Sequence, residues 1–365
     1  MNKKINIINN VIVYTVTLVL FVLVTLFGQK RTDNFWSLIL LMVVGALLCG
    51  TLVTIFHELG HLIAGKYNNF AFISLNILIF KWAKINDKIK FSFCFSGDQA
   101  GWTELVAKTT DNLDKRYKKV CLSGIFATII PTLCGIIPIF LPQLPLWLYS
   151  IWVMLLPVGA YSILDNGLSL SPNGIRNDGA VAYGIAKKDS SVKVMLNIMS
   201  IHSYMYQGNS PAEIDKNLYF DLPQLREDDL NFFLLLNERY NYYLDNKDYE
   251  NAKKTTERML SLEEYFSNEY IDVAKINALY NACTFDYDED KADDLMYELE
   301  KVLNSDTNPT KIRVKLAYIL FVTGETHLLE DFYKKGVKEA LKSQIKGYGK
   351  FEISLLDQMK DKIME

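Results

Sequence analysis

The chain has 365 residues, of which 50% are hydrophobic and 22% charged, and its formal net charge is −3. This balance does not suggest a nucleic-acid-binding protein, and five scattered cysteines without paired spacing argue against a disulfide scaffold and a cysteine-ligated zinc site. The average composition hides two unlike halves: residues 1–186 contain 15 basic and 9 acidic residues, whereas residues 187–365 contain 24 and 33. The sequence therefore predicts a membrane domain over residues 1–188 and a cytoplasmic α-helical domain over residues 189–365.

Two apolar runs near the start predict the first two membrane spans. The stretch Val11 to Gly28 can cross a bilayer, is too long for the apolar part of a signal peptide and has no small-residue cleavage site after it, so we expect an uncleaved span near 8–29. The uncharged run Phe35 to Phe56 predicts a second span near 36–65. At 1.5 Å per residue this helix would be about 43 Å long, so it must tilt, bend at a glycine or begin outside the ~30 Å hydrocarbon core.

The end of the second span carries an HExxH motif, formed by His57, Glu58 and His61. Histidines four residues apart leave one face of a helix about one turn apart and can bind one metal ion, for which zinc is expected. Glu58 would lie beside the metal, where it can accept a proton from an attacking water and pass it to a leaving amine. The alternative is that these three residues fall together by chance in a helix of the protein core. Two of only four histidines fall in the motif, which favours a metal site.

The segment 67–105 has a different pattern. Apolar residues alternate with other side chains over 71–79 and again over 89–95, and Asn86-Asp87 offers a turn between the two stretches. The pattern predicts a small β-region that lies on the membrane or dips into it. Its function is either an edge strand that pairs with an extended substrate or a connector that covers the membrane domain.

A second uncharged stretch predicts two more spans. Residues 120–164 carry no charge, and the turn Pro142 to Pro145 divides them into spans near 119–141 and 146–166. Basic residues cluster at the N-terminus, in 66–119 and after 175. The positive-inside rule therefore predicts a multi-pass protein of the cell membrane with both termini, the β-region and the HExxH end of the second span on the cytoplasmic side.

The C-terminal half contains no membrane-length apolar run and predicts mostly helices. Three segments have the pattern of a helix pair, namely Phe232 to Leu260, Ile276 to Leu303 and Val314 to Gly336. Their spacing of 40 and 37 residues is a little long for the 34-residue tetratricopeptide period, so the domain is either tetratricopeptide-like or an irregular helical array. We expect His202 and His327 to be ordinary residues of this domain and its acidic clusters to be a solvated face.

The third metal ligand has three candidates. Catalytic zinc usually has three protein ligands and a water, and Glu104 is the only other glutamate before residue 187. Asp165 ends the fourth span, and Asp178 begins a new helical pattern after a turn. Asp178 is favoured because its Asp-Gly pair coincides with a helix start level with the HExxH end of the second span, although aspartate in such places is also common as a cap or turn residue.

Over roughly residues 35–188 the chain resembles the site-2 proteases, the M50 intramembrane metalloproteases. The resemblance rests on HExxH late in one span, two further spans and the Asp178-Gly179 pair, and Ser123-Gly124 in the third span matches a small-residue site of the family. It implies that His57, His61 and Asp178 hold Zn²⁺ and that Glu58 is the general base. The C-terminal domain lies outside the resemblance.

The sequence departs from the family at one position. The family often has an asparagine eight residues before the Asp-Gly aspartate, where this chain has Leu170. Asn166, Asn173 and Asn177 are the candidates to replace its amide near the substrate backbone, and we favour Asn173.

These observations lead to an expected function and two alternatives. We expect a zinc-dependent endopeptidase that cleaves a membrane-embedded peptide or protein near the cytoplasmic face, in peptide-signal or bacteriocin maturation or in regulated intramembrane proteolysis. The lipid bilayer and a cytoplasmic protein bound by the helical domain would be its partners, and nucleic acid would not. The alternatives are a non-catalytic membrane scaffold with a vestigial metal site and a prenyl-processing type of membrane protease, which would need a glutamate ligand.

Overall fold

The structure is a computed structural model that describes residues 3–86, 88–94, 100–171, 174–305 and 308–364. The chain divides into two compact units. The first contains most of the chain as far as Asp189. The second contains Ser190–Glu365 together with the short segments Ile85–Lys88 and Ala107–Thr110. Helices dominate the structure, and a small sheet belongs mainly to the first unit.

Four helical segments among the described residues are long and apolar enough to cross a membrane, which confirms the predicted number of membrane-length helices. The helices of the first unit are α1 (Lys3–Gln29), α2 (Phe35–Tyr67), α3 (Leu113–Cys134), α4 (Leu146–Trp152), α5 (Leu155–Gly167) and α6 (Asp178–Lys187). A 3-10 helix, Ile137–Phe140, extends the third segment, and α4 and α5 together form the fourth.

The fourth segment is divided at Val153 and Met154, a break that the sequence analysis did not include. Pro157 has no N–H and cannot donate to the carbonyl of Val153 four residues earlier, which instead accepts from Leu156 N at 3.0 Å. The third segment begins at Leu113, six residues before the predicted start, because its first turns are charged and extend the helix beyond the apolar run.

The core of the first unit forms where α2 packs against α1, α4 and α5. Gly45 makes the approach of α2 to α4 possible, because a Cβ there would lie 2.8 Å from Ile151 Cα and 2.9 Å from Ser150 O. Elsewhere α1 and α2 expose large apolar side chains, among them Leu18, Val19, Trp36, Leu40 and Leu47. A continuous apolar exterior is unusual for a protein in water and typical of helices that face lipid.

Arg31 links the turn after α1 to the loop between the third and fourth segments by hydrogen bonds. Its Nη1 donates to Leu141 O and Pro142 O, its Nη2 donates to Pro138 O, all at 3.0 Å, and its guanidinium lies 4.3 Å from the centre of the Tyr149 ring. One of the two basic residues in this turn therefore has a structural role, and its charge carries little information about membrane orientation.

The described part of the β-region contains four strands, whereas the alternating pattern predicted two stretches. They are β1 (Phe70–Ile77), β2 (Phe80–Ile85), β3 (Lys88–Phe93) and β4 (Gly101–Ala107), in the sheet order β3-β2-β1-β4. Strands β1 and β2 are antiparallel, with Leu75 opposite Trp82 and Ile77 opposite Phe80. Asn86 of the expected turn has a left-handed backbone (φ 50°), and Asp87 lies outside the described residues. The lysines of β2 and the mixture of apolar and polar residues in β4 obscured the alternating pattern, so the sequence did not predict these two strands.

The second unit consists of helices, as predicted. They are α7 (Ser190–Gln207), α8 (Asn217–Phe220), α9 (Leu230–Asp245), α10 (Tyr249–Leu260), α11 (Asn268–Asn281), α12 (Glu289–Asn304), α13 (Pro309–Tyr318), α14 (Thr326–Leu341) and α15 (Lys346–Met364). The pairs α9/α10, α11/α12 and α13/α14 coincide with the three predicted helix pairs. The turn residues Lys247, Tyr287 and Gly324 all have positive φ. The structure establishes these helix pairs but not a tetratricopeptide repeat.

A buried ion pair joins two helices of this unit. Arg313 of α13 donates through Nε to Glu352 Oε2 of α15 at 2.8 Å, and both side chains are 1% exposed. Thr310 donates to the other carboxylate oxygen at 2.6 Å, and the Arg313 guanidinium lies 4.1 Å from the centre of the Tyr280 ring. The pair therefore fixes the position of α15 against α13.

Replacing Glu352 with glutamine is expected to destabilise the helical unit by about 3–5 kcal/mol, because it leaves the buried charge of Arg313 uncompensated. We expect the melting temperature of the purified protein to fall by on the order of 10 °C, measured by the loss of the helical circular dichroism signal. Lys254→Ala is the control, because it removes an exposed ion pair with Glu250 and should leave the melting temperature unchanged. Equal melting temperatures for both variants would show that the buried pair does not hold the helices together.

Candidate metal centre

Three side chains from distant parts of the sequence meet at one point in the first unit. His57 Nε2 and His61 Nε2 each lie 3.1 Å from Asp178 Oδ2, and the two Nε2 atoms are 3.1 Å apart. The two imidazole rings are nearly perpendicular, at 83°. The structure therefore brings together the three residues that the sequence analysis proposed as ligands, and their donor atoms surround a common point.

The spacing of these donor atoms suits a tetrahedral metal ion. With zinc–ligand bonds of about 2.0–2.1 Å, the donor atoms of a tetrahedral site lie about 3.3 Å apart, close to the observed 3.1 Å. Imidazole nitrogens and carboxylate oxygens are ordinary zinc ligands, and three protein ligands leave a fourth position for water or substrate. The residues therefore fit zinc.

Helix α3 sets the tautomers of the two histidines. His61 Nδ1 lies 2.8 Å from Val120 O, and because a carbonyl only accepts, Nδ1 carries a proton. In the neutral imidazole, Nε2 therefore keeps its lone pair for a metal ion. His57 Nδ1 lies 3.3 Å from Thr128 Oγ1, whose own proton goes to Gly124 O at 2.9 Å. Such hydrogen bonds orient histidines that bind metals. Sequence analysis missed Val120 and Thr128 because no spacing rule connects them to a motif 59 and 71 residues away.

Two glycines bring α2 and α3 together at the metal centre. A Cβ on Gly60 would lie 2.5 Å from Ser123 O, and a Cβ on Gly124 would lie 2.4 Å from His61 Nε2 and 2.9 Å from His57 Cε1. Any larger residue at 124 would occupy the space of the ligands. This close approach is the physical reason for a small residue at the Ser123-Gly124 site.

Replacing Thr128 with valine is expected to weaken zinc binding by about 10–100-fold, because it removes the hydrogen bond that orients His57. Competition with a chromogenic chelator measures the change. Thr132→Val is the matched control: Thr132 lies one turn further along α3 and donates to Thr128 O at 2.7 Å. If the two variants bind zinc equally well, Thr128 has no part in holding the ligand.

Asn177 fixes Asp178 at the start of α6. Its Oδ1 accepts from Ala180 N at 2.9 Å as an N-cap, and its Nδ2 donates to Leu168 O at 2.7 Å and also to Asp165 O. The side chain thereby joins the end of α5 to the beginning of α6.

Gly179 is required by the packing of α6 on α5. A Cβ at this position would lie 2.2 Å from Gly167 O and 2.8 Å from Asn166 O. Because the first turn of α6 lies directly against the end of α5, Asp178 reaches the histidines of α2. In the sequence Asn177-Asp178-Gly179, the first residue caps the helix, the second faces the histidines and the third permits the contact.

The other candidate ligands lie elsewhere in the described part of the chain. The group of potential ligands contains neither Asp165 nor Glu104, and Glu104 accepts a hydrogen bond from Ser74 at 2.9 Å. His202 lies 3.0 Å from Glu238 in the helical unit. Asn173 lies outside the described residues, so its predicted role in substrate binding stays a prediction. The amide of Asn177 is committed to the helix cap and does not replace the family asparagine.

Glu58 is buried beside the ligands and is held by the sheet. It is 5% exposed, and Thr103 of β4 donates to its Oε2 at 2.6 Å. Strand β4 runs alongside the second half of α2: a Cβ on Gly101 would lie 2.7 Å from Glu58 Oε1, and a Cβ on Gly65 would lie 2.6 Å from Leu105. Sequence analysis placed a β-region near the site but gave no signal for Thr103.

Comparisons with known proteins do not assign the chain to a family. No protein-family model matches it, and neither the search of curated proteins nor that of solved structures found a match. The described residues contain four membrane-length helices and a candidate centre of two histidines and an aspartate.

Proposed function

We propose that the chain is a zinc-dependent intramembrane endopeptidase of the site-2 protease type. The observation that carries the proposal is the convergence of His57, His61 and Asp178 at tetrahedral spacing, with Glu58 buried beside them at the end of an apolar helix. In addition, the Nδ1 atoms of the two histidines face Val120 O and Thr128 Oγ1, which is the arrangement of metal-binding histidines whose Nε2 lone pairs point at the metal.

In this proposal the two histidines and Asp178 hold zinc, which supplies Lewis acidity and lowers the pKa of water at the site towards about 7. Glu58 accepts the proton of the attacking water and delivers it to the leaving amine. Thr103 donates to one carboxylate oxygen of Glu58 and leaves the other for the proton. Val120 and Thr128 keep the imidazoles oriented.

The proposed orientation places both termini in the cytoplasm of a multi-pass membrane protein. Basic residues cluster on the side where α2 ends at Lys66 and α3 begins, as the positive-inside rule requires. The metal centre then lies one or two turns inside the cytoplasmic face. Water reaches it from that face, and membrane-bound substrates reach it from the bilayer.

The proposed substrate is a membrane-embedded peptide or protein that is locally extended when it is cut, because the amides of an intact helix are shielded by their own hydrogen bonds. Strand β4 is an edge of the described sheet and lies next to Glu58 through Thr103. An extended substrate can pair with this edge as an added strand, which favours the substrate-pairing role over the connector role. Peptide-signal or bacteriocin maturation and regulated intramembrane proteolysis both fit such a substrate.

The proposal is tested by removing the metal with a chelator and then adding zinc back. Purified protein in detergent should contain about one zinc per chain and cleave fluorescein-labelled casein, used as a non-specific unfolded substrate. Treatment with 1,10-phenanthroline should abolish cleavage, and one equivalent of zinc should restore it. Zinc content is measured by inductively coupled plasma mass spectrometry. Cleavage that continues in the metal-free protein would contradict the proposal.

A further inference from the structure

Strands β2 and β3 carry a continuous cluster of exposed aromatic rings. Its ring centroids are 6.0 Å apart for Phe80 and Phe91, 5.5 Å for Trp82 and Phe91, and 5.3 Å for Phe91 and Phe93. Phe91 is 52% exposed, Phe93 59% and the neighbouring Ile89 67%. We call these five side chains (Phe80, Trp82, Ile89, Phe91 and Phe93) the hairpin face.

The hairpin face continues an apolar surface that is buried further along the sheet. Opposite residues of an antiparallel pair lie on the same face, so Leu75 shares a face with Trp82 and Ile77 shares it with Phe80. Leu75 and Ile77 are buried, at 8% and 7% exposure. The same sheet face is therefore covered at β1 and uncovered at β3. Contiguous exposed apolar patches in proteins mark a surface that contacts a partner or a membrane.

The opposite face of the hairpin is basic. Successive residues of a strand point to opposite faces, and in β3 the side chains of Lys88 and Lys90 alternate with Ile89 and Phe91. Lys81 alternates in the same way with Phe80 and Trp82 in β2. The hairpin is thus largely amphipathic: Lys81, Lys88 and Lys90 lie on one side, and the aromatic rings share the other side with Lys84 near the end of β2.

We infer that the hairpin lies in the boundary between headgroups and acyl chains of an anionic membrane, with the hairpin face towards the acyl chains and the lysines towards the headgroups. Amphipathic segments that lie at this depth carry Trp, Phe and Leu on the side that faces the acyl chains, and lysines on the other side are attracted to anionic lipid. The inference rests on the proposed membrane placement of the four apolar segments.

The attachment of the sheet favours lipid over a protein partner. Strand β4 packs along the last turns of α2, where the apolar run ends at Lys66, so the sheet is tied to the helix at the proposed membrane surface. Strands lie about 4.8 Å apart, which puts β3 about 14 Å from β4. The hairpin can therefore enter the boundary region while the outer edge of β4, next to Glu58, stays available to a substrate.

Quenching by brominated lipid tests this orientation. Single cysteines replace Phe91 and its neighbour Lys90, which lie on opposite faces of one strand, and Leu47 of α2, which is 72% exposed in an apolar span. Each variant of the full chain is labelled with bimane in detergent and reconstituted in vesicles of phosphatidylcholine and phosphatidylglycerol, with or without acyl-chain bromine. Wild-type protein treated identically corrects for label on native cysteines, and Phe93→Cys replaces Phe91→Cys if the latter does not fold.

We expect brominated lipid to quench bimane at 91 and at 47 at least twofold more than bimane at 90. Quenching at 47 but not at 91 would overturn the inference and leave the membrane placement standing, because water, a substrate or a second copy of the chain would then cover the hairpin face. Equal quenching at 90 and 91 would also overturn it. An absence of quenching at 47 would contradict the membrane placement itself, and with it the proposed function.

Discussion

Replacing Glu58 with glutamine is expected to reduce casein cleavage by about 10²–10⁴-fold while the zinc content stays at about one per chain. Glutamine has nearly the size of glutamate, and its carbonyl can accept the hydrogen bond that Thr103 donates to Glu58. It cannot accept the proton of the attacking water. Because Glu58 is not among the three converging ligands, the metal should remain. The variant therefore separates proton transfer from metal binding.

The matched control for this variant is Glu104→Gln. Glu104 lies in β4, one residue after Thr103, and accepts a hydrogen bond from Ser74, so the same chemical change is made near the site but outside it. Both variants are compared by cleavage rate and by zinc content on the same preparations. Full activity of Glu58→Gln would end the proposal. If the wild type binds zinc but neither the wild type nor Glu58→Gln cleaves casein, the non-catalytic scaffold becomes the better description.

Replacing Asp178 with asparagine is expected to remove zinc from the purified protein and to abolish cleavage. The amide keeps the shape of the side chain but loses the negative charge that balances the metal, and its nitrogen can occupy the ligand position. Asp178 Oδ2 is the atom that both imidazoles approach at 3.1 Å. Since three ligands hold the metal, loss of one should lower affinity by well over the 10–100-fold typical of residues that only orient ligands.

Asp165→Asn is the matched control for the third ligand. Asp165 is the other aspartate near the end of the fourth segment, and it contacts Asn177 through its backbone carbonyl rather than its side chain. Its variant should retain zinc and activity. Loss of zinc in Asp165→Asn with retention in Asp178→Asn would reverse the assignment. Loss of zinc in Glu104→Gln alone would instead indicate the glutamate-ligated, prenyl-processing alternative.

The sequence predicted those parts of the molecule that depend on local patterns. The apolar runs determined the number of membrane-length helices because burial in lipid requires about 20 apolar residues in succession. The HExxH spacing placed His57 and His61 on one helical face because the helix repeat is local. Asp178 was favoured through its glycine, and the structure supplies the reason, since a side chain at Gly179 would collide with Gly167 O.

The sequence did not predict contacts between segments far apart in the chain. Thr103 reaches Glu58 across 45 residues and Thr128 reaches His57 across 71, and neither threonine belongs to a motif. The break at Val153 was also missed, because Pro157 lies inside an apolar run and hydropathy does not register a lost N–H. The role of Arg31 was also missed, since nothing in the sequence connects it with the carbonyls of Pro138, Leu141 and Pro142 that it binds.

The three candidate ligands differ in how far they are exposed, and this difference should affect how a metal ion exchanges. The side chains of His57 and His61 are 9% and 11% exposed, whereas that of Asp178 is 21% exposed. On the side of α3 there is no room for an ion to pass, because Gly124 lies directly against the imidazole rings of both histidines. A metal ion held here would therefore be more accessible on the side of Asp178 than on the side of α3, and we expect its exchange rate to depend on how easily the start of α6 is displaced. Asp178 would then both complete the coordination of the ion and influence how fast the ion exchanges.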